Sequence, residues 1–296
     1  MRVRILGSAA GGGFPQWNCN CPTCRAARER SGAAVPRTQS SIAVRGAHGP
    51  WYLVNASPDL RQQLAELPAD RSNGLRATPV AGVLLTDAEI DHTAGLLLLR
   101  ESSSPLRVYS TDDVREALTE HYPILTMLEN YCGVVWSRLE PGESIALDGS
   151  SLEVEAFPTG GDPPLYMGKA AGTPTSIGLT IADGGQVLTY APALAAIDRA
   201  ISERFDASDC VLVDGTFWRN EELVELGIAT RDARAMGHAP LAGTDGTLAR
   251  LSALRPRTIL VHVNNTNPIL LDDSPERATV EASGVEVGYD GMEIEL

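Results

Sequence analysis

The chain lacks an excess of positive charge: 24 lysines and arginines face 38 aspartates and glutamates, a formal net charge of -14. With a pI near 4.8 it has no basic patch for nucleic acid or an anionic membrane, both of which need a positive field. It also lacks any unbroken apolar run long enough to span a bilayer. Met1-Arg2-Val3-Arg4-Ile5-Leu6-Gly7 passes directly into glycines without the apolar core of a signal peptide. A cytoplasmic protein with no membrane insertion is therefore expected. No Ser/Pro-rich linker or low-complexity run divides the 296 residues, so they read as one domain. Nor is there a disulfide framework: the cysteines number five, and Cys19, Cys21 and Cys24 stand too close together for one.

What is present begins with strands. Val3–Leu6, Ser41–Val44 and Trp51–Val54 read as strands, the last two joined across the turn-rich Arg45–Pro50. The apolar run Val80–Leu85 is a further buried strand, and helical patterns follow it, filling Asp112–Leu128 with a break at Pro123. The second half repeats the rhythm. Gln186–Tyr190, Cys210–Val213 and Thr258–Val261 are strands, while Ala193–Arg204 and Thr247–Leu254 are helices. Ser274-Pro275-Glu276 opens a last helix that Gly284 closes. The tail from Val285 to Glu295 alternates about Asp290-Gly291, a hairpin signal. Two sheets with flanking helices give an α/β protein, a four-layer αββα sandwich.

The densest chemistry is Thr86-Asp87-Ala88-Glu89-Ile90-Asp91-His92, which puts three carboxylates and a histidine at the end of a buried strand. Carboxylates this close repel one another unless a cation or proton intervenes, and strand ends are where α/β folds bind ligands. A helix N-terminus, whose dipole favours Asp and Glu, explains the cluster equally well. Five histidines are present. His48 in a turn and His121 on a polar helix end read as surface residues. His92, His238 and His262 remain, the last at a strand end before Asn264-Asn265-Thr266-Asn267; as satisfied core histidines the latter two would need no metal. Asp87, Glu89, Asp91, His92 and His262 together form an oxygen-rich set with two imidazoles, suited to iron or manganese and compatible with the facial triad of non-haem iron oxygenases. Asp214, ending another strand, serves as ligand, base or cap. Cys19, Cys21 and Cys24 make a thiolate knuckle suited to a structural zinc, within about residues 18–25. A redox Cys-X-X-Cys pair and inert loop cysteines are the alternatives. Cys132 and Cys210 read as core residues.

Several strings of the chain resemble the pyrroloquinoline quinone (PQQ) biosynthesis protein B branch of the metallo-β-lactamase fold. They include Gly7–Cys21, Arg37–Val44, Asn55–Asp59, Leu85-Thr86-Asp87, Asp91-His92, Val213–Thr216, Met236-Gly237-His238 and Asn264–Leu270. The resemblance implies the sandwich above and a place in PQQ biosynthesis. The wider superfamily carries His-X-His-X-Asp-His for two zincs; Asp87 and Glu89 stand where its leading histidines would be, while Asp91 and His92 keep their places. A bridging aspartate of related phosphodiesterases is also missing, since the matching stretch is Tyr190-Ala191-Pro192-Ala193. A two-zinc hydrolase is thus disfavoured. The resemblance implies an Fe2+- and O2-dependent hydroxylase of the tyrosine ring in a peptide-derived, cross-linked Glu-Tyr precursor. Asp87, Asp91, His92 and His262 would hold the iron, with His238 or Asp214 as base and Glu89 oriented nearby. By position Asn265 would be the fourth ligand of the Zn2+ knuckle. A carrier that helps transport PQQ or its precursor, and a metal-dependent hydrolase, stay as alternatives, and a homodimer stays open. The segment from Thr159 to Lys169 is expected over the pocket.

Overall fold

Alternation along the strands sorts apolar side chains into three separate cores, and these fix the layers. The computed structural model describes residues 1–29, 32–68, 75, 78, 80–168 and 175–296. The first sheet takes β1 (Arg2–Gly7), β2 (Ser41–Arg45), β3 (Trp51–Val54), β4 (Val80–Leu84), β5 (Leu106–Ser110) and β6 (Val134–Arg138). The second takes β7 (Ser144–Ala146), β8 (Glu153–Pro158), β9 (Ile177–Asp183), β10 (Gln186–Ala191), β11 (Cys210–Asp214), β12 (Arg257–Val261) and β13 (Glu286–Val287). The last strand, β14 (Glu293–Glu295), crosses back to pair antiparallel with β1. Among the described residues each sheet has seven strands.

Successive residues of a strand face opposite sides. In β2, Ile42 and Val44 point between the sheets and Ala43 points outward; in β12, Ile259 and Val261 point inward and Leu260 outward. The inner core also holds Tyr52, Leu212 and Tyr190, all fully buried. Outside the first sheet, Leu53 and Val83 pack against Leu60, Leu96 and Leu118; outside the second, Val211 and Leu260 pack against Ile201, Phe205 and Val280. Helix, sheet, sheet, helix is the expected order. Strands β3 to β6 run parallel to one another, as do β10 to β13. Buried on both faces, β4, β11 and β12 are accordingly near-continuous apolar runs.

Two expected elements differ. The tail is no hairpin, because β13 pairs with β12 and β14 pairs with β1 in the other sheet. Between them Asp290 accepts hydrogen bonds from the backbone N–H and hydroxyl of Ser8 and of Thr38, at 2.6–2.9 Å, so it ties the crossing rather than a turn. The helix expected from Ala193 begins only at Arg199. The N–H of Leu194 donates to Asp214 Oδ2 at 2.9 Å and that of Ala195 to the Thr159 carbonyl, and Asp198 then caps the helix through Ile201 N–H. Elsewhere Pro123 divides its helical region as expected, and Ser274 caps the helix Pro275–Ala282. Among the described residues no helix is long and apolar enough to cross a membrane.

Candidate metal centre

The ends of β4, β11 and β12 deliver the acidic cluster and the histidines to one rim of the sandwich. After β4 the chain turns at Asp87, whose Oδ1 accepts from Glu89 N–H at 3.0 Å, and enters the short helix Ile90–Thr93 that carries Asp91 and His92. The His92 carbonyl accepts from Ala56 N–H at 2.7 Å. Gly95 comes so close to the strand-end loop that a Cβ there would lie 2.1 Å from the Ser57 carbonyl, so only glycine lets this turn seat. His262, one residue past β12, has φ of +56°, a left-handed conformation that costs a non-glycine residue roughly 1–3 kcal/mol. Strain of this kind clusters at functional sites.

Each imidazole is held through Nδ1. His92 Nδ1–H lies 2.8 Å from both oxygens of Asp87, His238 Nδ1–H donates to Asp214 Oδ2 at 2.6 Å, and His262 Nδ1–H donates to Thr216 Oγ1 at 2.8 Å. The Thr216 hydroxyl spends its own proton on the His262 carbonyl at 2.9 Å, which settles that direction. The nitrogen left for a metal is therefore Nε2 in all three, the arrangement in which partners behind the ring fix its orientation. Asp91 Oδ2 lies 3.4 Å from His262 Nε2 and 3.7 Å from His92 Nε2. Asp91, His92 and His262 offer ligand atoms all within 4.8 Å of one another, and so do Asp214, His238 and His262. His92 Nε2 is buried and has no hydrogen-bond partner among the described residues. A buried polar atom without a partner is costly, and a carboxylate with two imidazole lone pairs is a donor set that suits a transition metal.

The charges support one another. Burial alone would lower the pKa of His92, but Asp87 and Asp91 outweigh it and lift the imidazole to about 9. Burial would likewise raise Asp87 and Asp91, yet the His92 charge holds both below the usual carboxylate range. Asp214 is lowered against the same burial by His238, which it raises in turn. His262 is lowered, first by desolvation. Desolvation, then Asp87 and Asp91, push Glu89 up to about 7. The cluster thus balances carboxylates with imidazolium where a cation would otherwise stand.

Asp87 differs from the sequence expectation of a ligand: both its oxygens turn to Nδ1 of His92, and it lies outside the two ligand groups. Glu89 lies at the exposed edge of the pocket. Asp214 and His238 form a pair beside the first ligand group and share His262 with it. His48 and His121 are exposed, Cys210 is buried and Cys132 half-buried. Sequence reasoning gave Thr216 no role, although it joins two of the histidines; its only local signal is its place after a strand-ending Asp. Asn55, with φ of +63°, was likewise missed; its side chain bonds Thr86 and so secures the start of the acidic turn. The pocket above these groups has a volume of about 520 Å³ and is walled by Leu165, Tyr166, Phe217 and Leu223. Leu165 and Tyr166 lie in the segment expected over the pocket; Lys169, its last residue, lies outside the described residues. Tyr166 donates its hydroxyl to the Ala88 carbonyl at 2.6 Å.

The three knuckle thiols also lie within 4.8 Å of one another. Cys21 and Cys24 flank the start of the helix Pro22–Glu29 and are buried against Asn265, whose Nδ2 lies 3.3 Å from Cys24 Sγ and 3.7 Å from Cys21 Sγ. Thr23 donates to the Asn265 carbonyl, and the Arg28 guanidinium clamps the loop through the carbonyls of Cys19 and Gln16.

Thr216→Val keeps the side-chain shape and removes the group behind His262. Metal affinity at Asp91, His92 and His262 is expected to fall roughly 10–100-fold, read by competition with a chromogenic chelator. Unchanged affinity would show that Thr216 does not orient the ring.

Residues 50–263 match the model of the beta-lactamase superfamily domain. The chain is 44% identical to the coenzyme PQQ synthesis protein B of Methylococcus capsulatus, with 100% of both chains covered. It is 47% identical to that of Cupriavidus taiwanensis, with 99% of each covered. Among solved structures, Zn2+-bound PqqB from Methylobacterium extorquens is 38% identical, with a TM-score of 0.92 over 100% of both chains. A diphosphatase of the PhnP family, 18% identical with a TM-score of 0.68 over 100% of this chain and 98% of its own, shares the fold alone. With its two sheets, its ligand cluster and this full-length likeness, the chain belongs to the coenzyme PQQ synthesis protein B family of the metallo-β-lactamase fold.

Proposed function

We propose that the protein acts in PQQ biosynthesis as an iron-dependent, oxygen-using hydroxylase of the tyrosine ring in a peptide-derived, cross-linked Glu-Tyr precursor. The observation that carries this reading is the set of one carboxylate and two imidazoles, Asp91, His92 and His262, on one side of a pocket. Such a set leaves coordination positions open for dioxygen and substrate. The names of the relatives support the pathway, and the donor set supports the chemistry. Fe2+, when bound, supplies the electron transfer that dioxygen needs to react with a closed-shell ring.

The chain's own residues do the remainder. Asp87 and Thr216 keep the two imidazoles turned with Nε2 available. His238, backed by Asp214, is a base for the ring hydroxyl, and its own proton partner is already in place at 2.6 Å. Phe217, Leu223 and Leu165 offer an apolar wall to the aromatic ring. Oxidation of a phenol to the ortho-quinone level releases as many electrons as one dioxygen takes up on reduction to water, so no organic co-substrate is required. The cysteine knuckle takes a structural zinc in this reading, the thiols of Cys21 and Cys24 being buried and held by Asn265.

Hydroxylation is tested with Fe2+-loaded protein, a tyrosine-containing acidic peptide and ¹⁸O₂, followed by mass spectrometry. Label in the ring is expected. Turnover of a model phosphodiester without oxygen, and no labelled ring, would replace the oxygenase with the hydrolase of the same fold.

A further inference from the structure

Three carboxylates line the pocket, Asp87 and Asp91 beside the histidines and Glu89 at its exposed edge, and the chain as a whole carries a net charge of -14. An anionic ligand entering here meets repulsion unless a cation receives it. Among the described residues that line the pocket, Arg231 brings the sole guanidinium or ammonium group. Its backbone belongs to the loop that also carries Met236 and His238, and the apolar side chains of Phe217, Leu223 and Met236 line the same pocket.

Arg231 is anchored yet loosely paired. Its Nη2 donates to the Ala235 carbonyl four residues on, which holds the side chain over its own loop. The same nitrogen lies 3.6 Å from Asp162 Oδ2, on the segment across the pocket mouth, and the two side chains are 42% and 73% exposed. An exposed ion pair at that distance is worth little. A guanidinium presents a planar fork of donors that suits a carboxylate approaching with both oxygens, so a better-placed carboxylate can displace Asp162.

We propose that Arg231 is the specificity-determining residue of this pocket: it receives a carboxylate of an acidic phenolic substrate at the rim, exchanging Asp162 for it, while the ring lies over the histidines. This deepens the hydroxylase reading and rests on it for the phenol, but the charge preference is measurable without turnover. Arg231 selects acidic over neutral ligands, and it sets which end of the substrate stays outside.

The test is binding, by calorimetry without oxygen, of N-acetyl-glutamyl-tyrosine and of its uncharged counterpart N-acetyl-glutaminyl-tyrosinamide to the wild type, Arg231→Gln and Asp162→Asn. The wild type is expected to prefer the acidic probe, and Arg231→Gln to weaken that probe roughly tenfold while leaving the amide unchanged. Asp162→Asn is expected to tighten the acidic probe. Equal loss for both probes in Arg231→Gln, or no preference in the wild type, including failure of both probes to bind, would overturn the assignment. Charge-selective binding without oxygen-dependent turnover would uphold Arg231 and reject the hydroxylase.

Discussion

His92→Ala is expected to abolish both iron retention and ring hydroxylation, a loss well beyond the roughly 10–100-fold that changes behind a ligand cost in affinity. Three observations converge on this residue. Its Nε2 is a buried nitrogen with no partner among the described residues, its ring is fixed from behind by both oxygens of Asp87, and its ligand atom lies within 4.8 Å of those of Asp91 and His262. Removing it also leaves the buried Asp87 and the half-buried Asp91 without the charge that holds their pKa values down. Loss of one partner from a buried ion pair costs about 3–5 kcal/mol, so the metal-free variant is expected to unfold at lower urea than the wild type. Asp87→Asn separates the two effects. It keeps Nε2 in the site but weakens its orientation, and is expected to retain iron with reduced affinity. Full hydroxylation by His92→Ala with iron bound would remove His92 from the centre.

Cys21→Ser is expected to lose the knuckle zinc and more than about 3 kcal/mol of stability, the scale on which loss of a bound metal acts. The reason lies in what the knuckle ties together. Cys24 is fully buried, Cys21 nearly so, and both pack with Ala27, Ile269 and Leu270 in the core outside the second sheet. Asn265 joins this knot to the loop that follows His262, three residues after the ligand. Slackening the knuckle therefore loosens the chain that carries a metal-site histidine. In protein made without iron, so that only the knuckle carries metal, a chelator that strips the wild type should lower its melting temperature to that of Cys21→Ser and should not lower the variant further. Native stability and zinc content in Cys21→Ser would show the thiols to be inert.

Much of the fold is legible in the residues because β4, β11 and β12 are buried on both faces and read as apolar runs ending in Asp or His. The tail misleads for a physical reason: Asp290-Gly291 is a strong local turn signal, but the strands on either side of it belong to different sheets. Likewise Ala193–Asp198 has helical composition, yet Asp214 and the Thr159 carbonyl claim its N–H groups. At the site, spacing brings Asp87, Asp91 and His92 into view as a group but cannot say which atoms face the pocket; the turn at Asp87 decides that. Thr216 and Arg231 meet their partners across 46 and 69 positions of the chain, and contacts of that kind leave no local pattern.

The central claim is that Asp91, His92 and His262 hold an iron ion separate from the knuckle zinc. Its most direct test is metal stoichiometry on protein produced and purified without oxygen in the presence of Fe2+, beside His92→Ala and Cys21→Ser. The account predicts one zinc and one iron per wild-type chain, with iron alone lost from His92→Ala and zinc lost from Cys21→Ser. Zinc at the knuckle with no iron taken up by the wild type, or iron unaffected by His92→Ala, would contradict it.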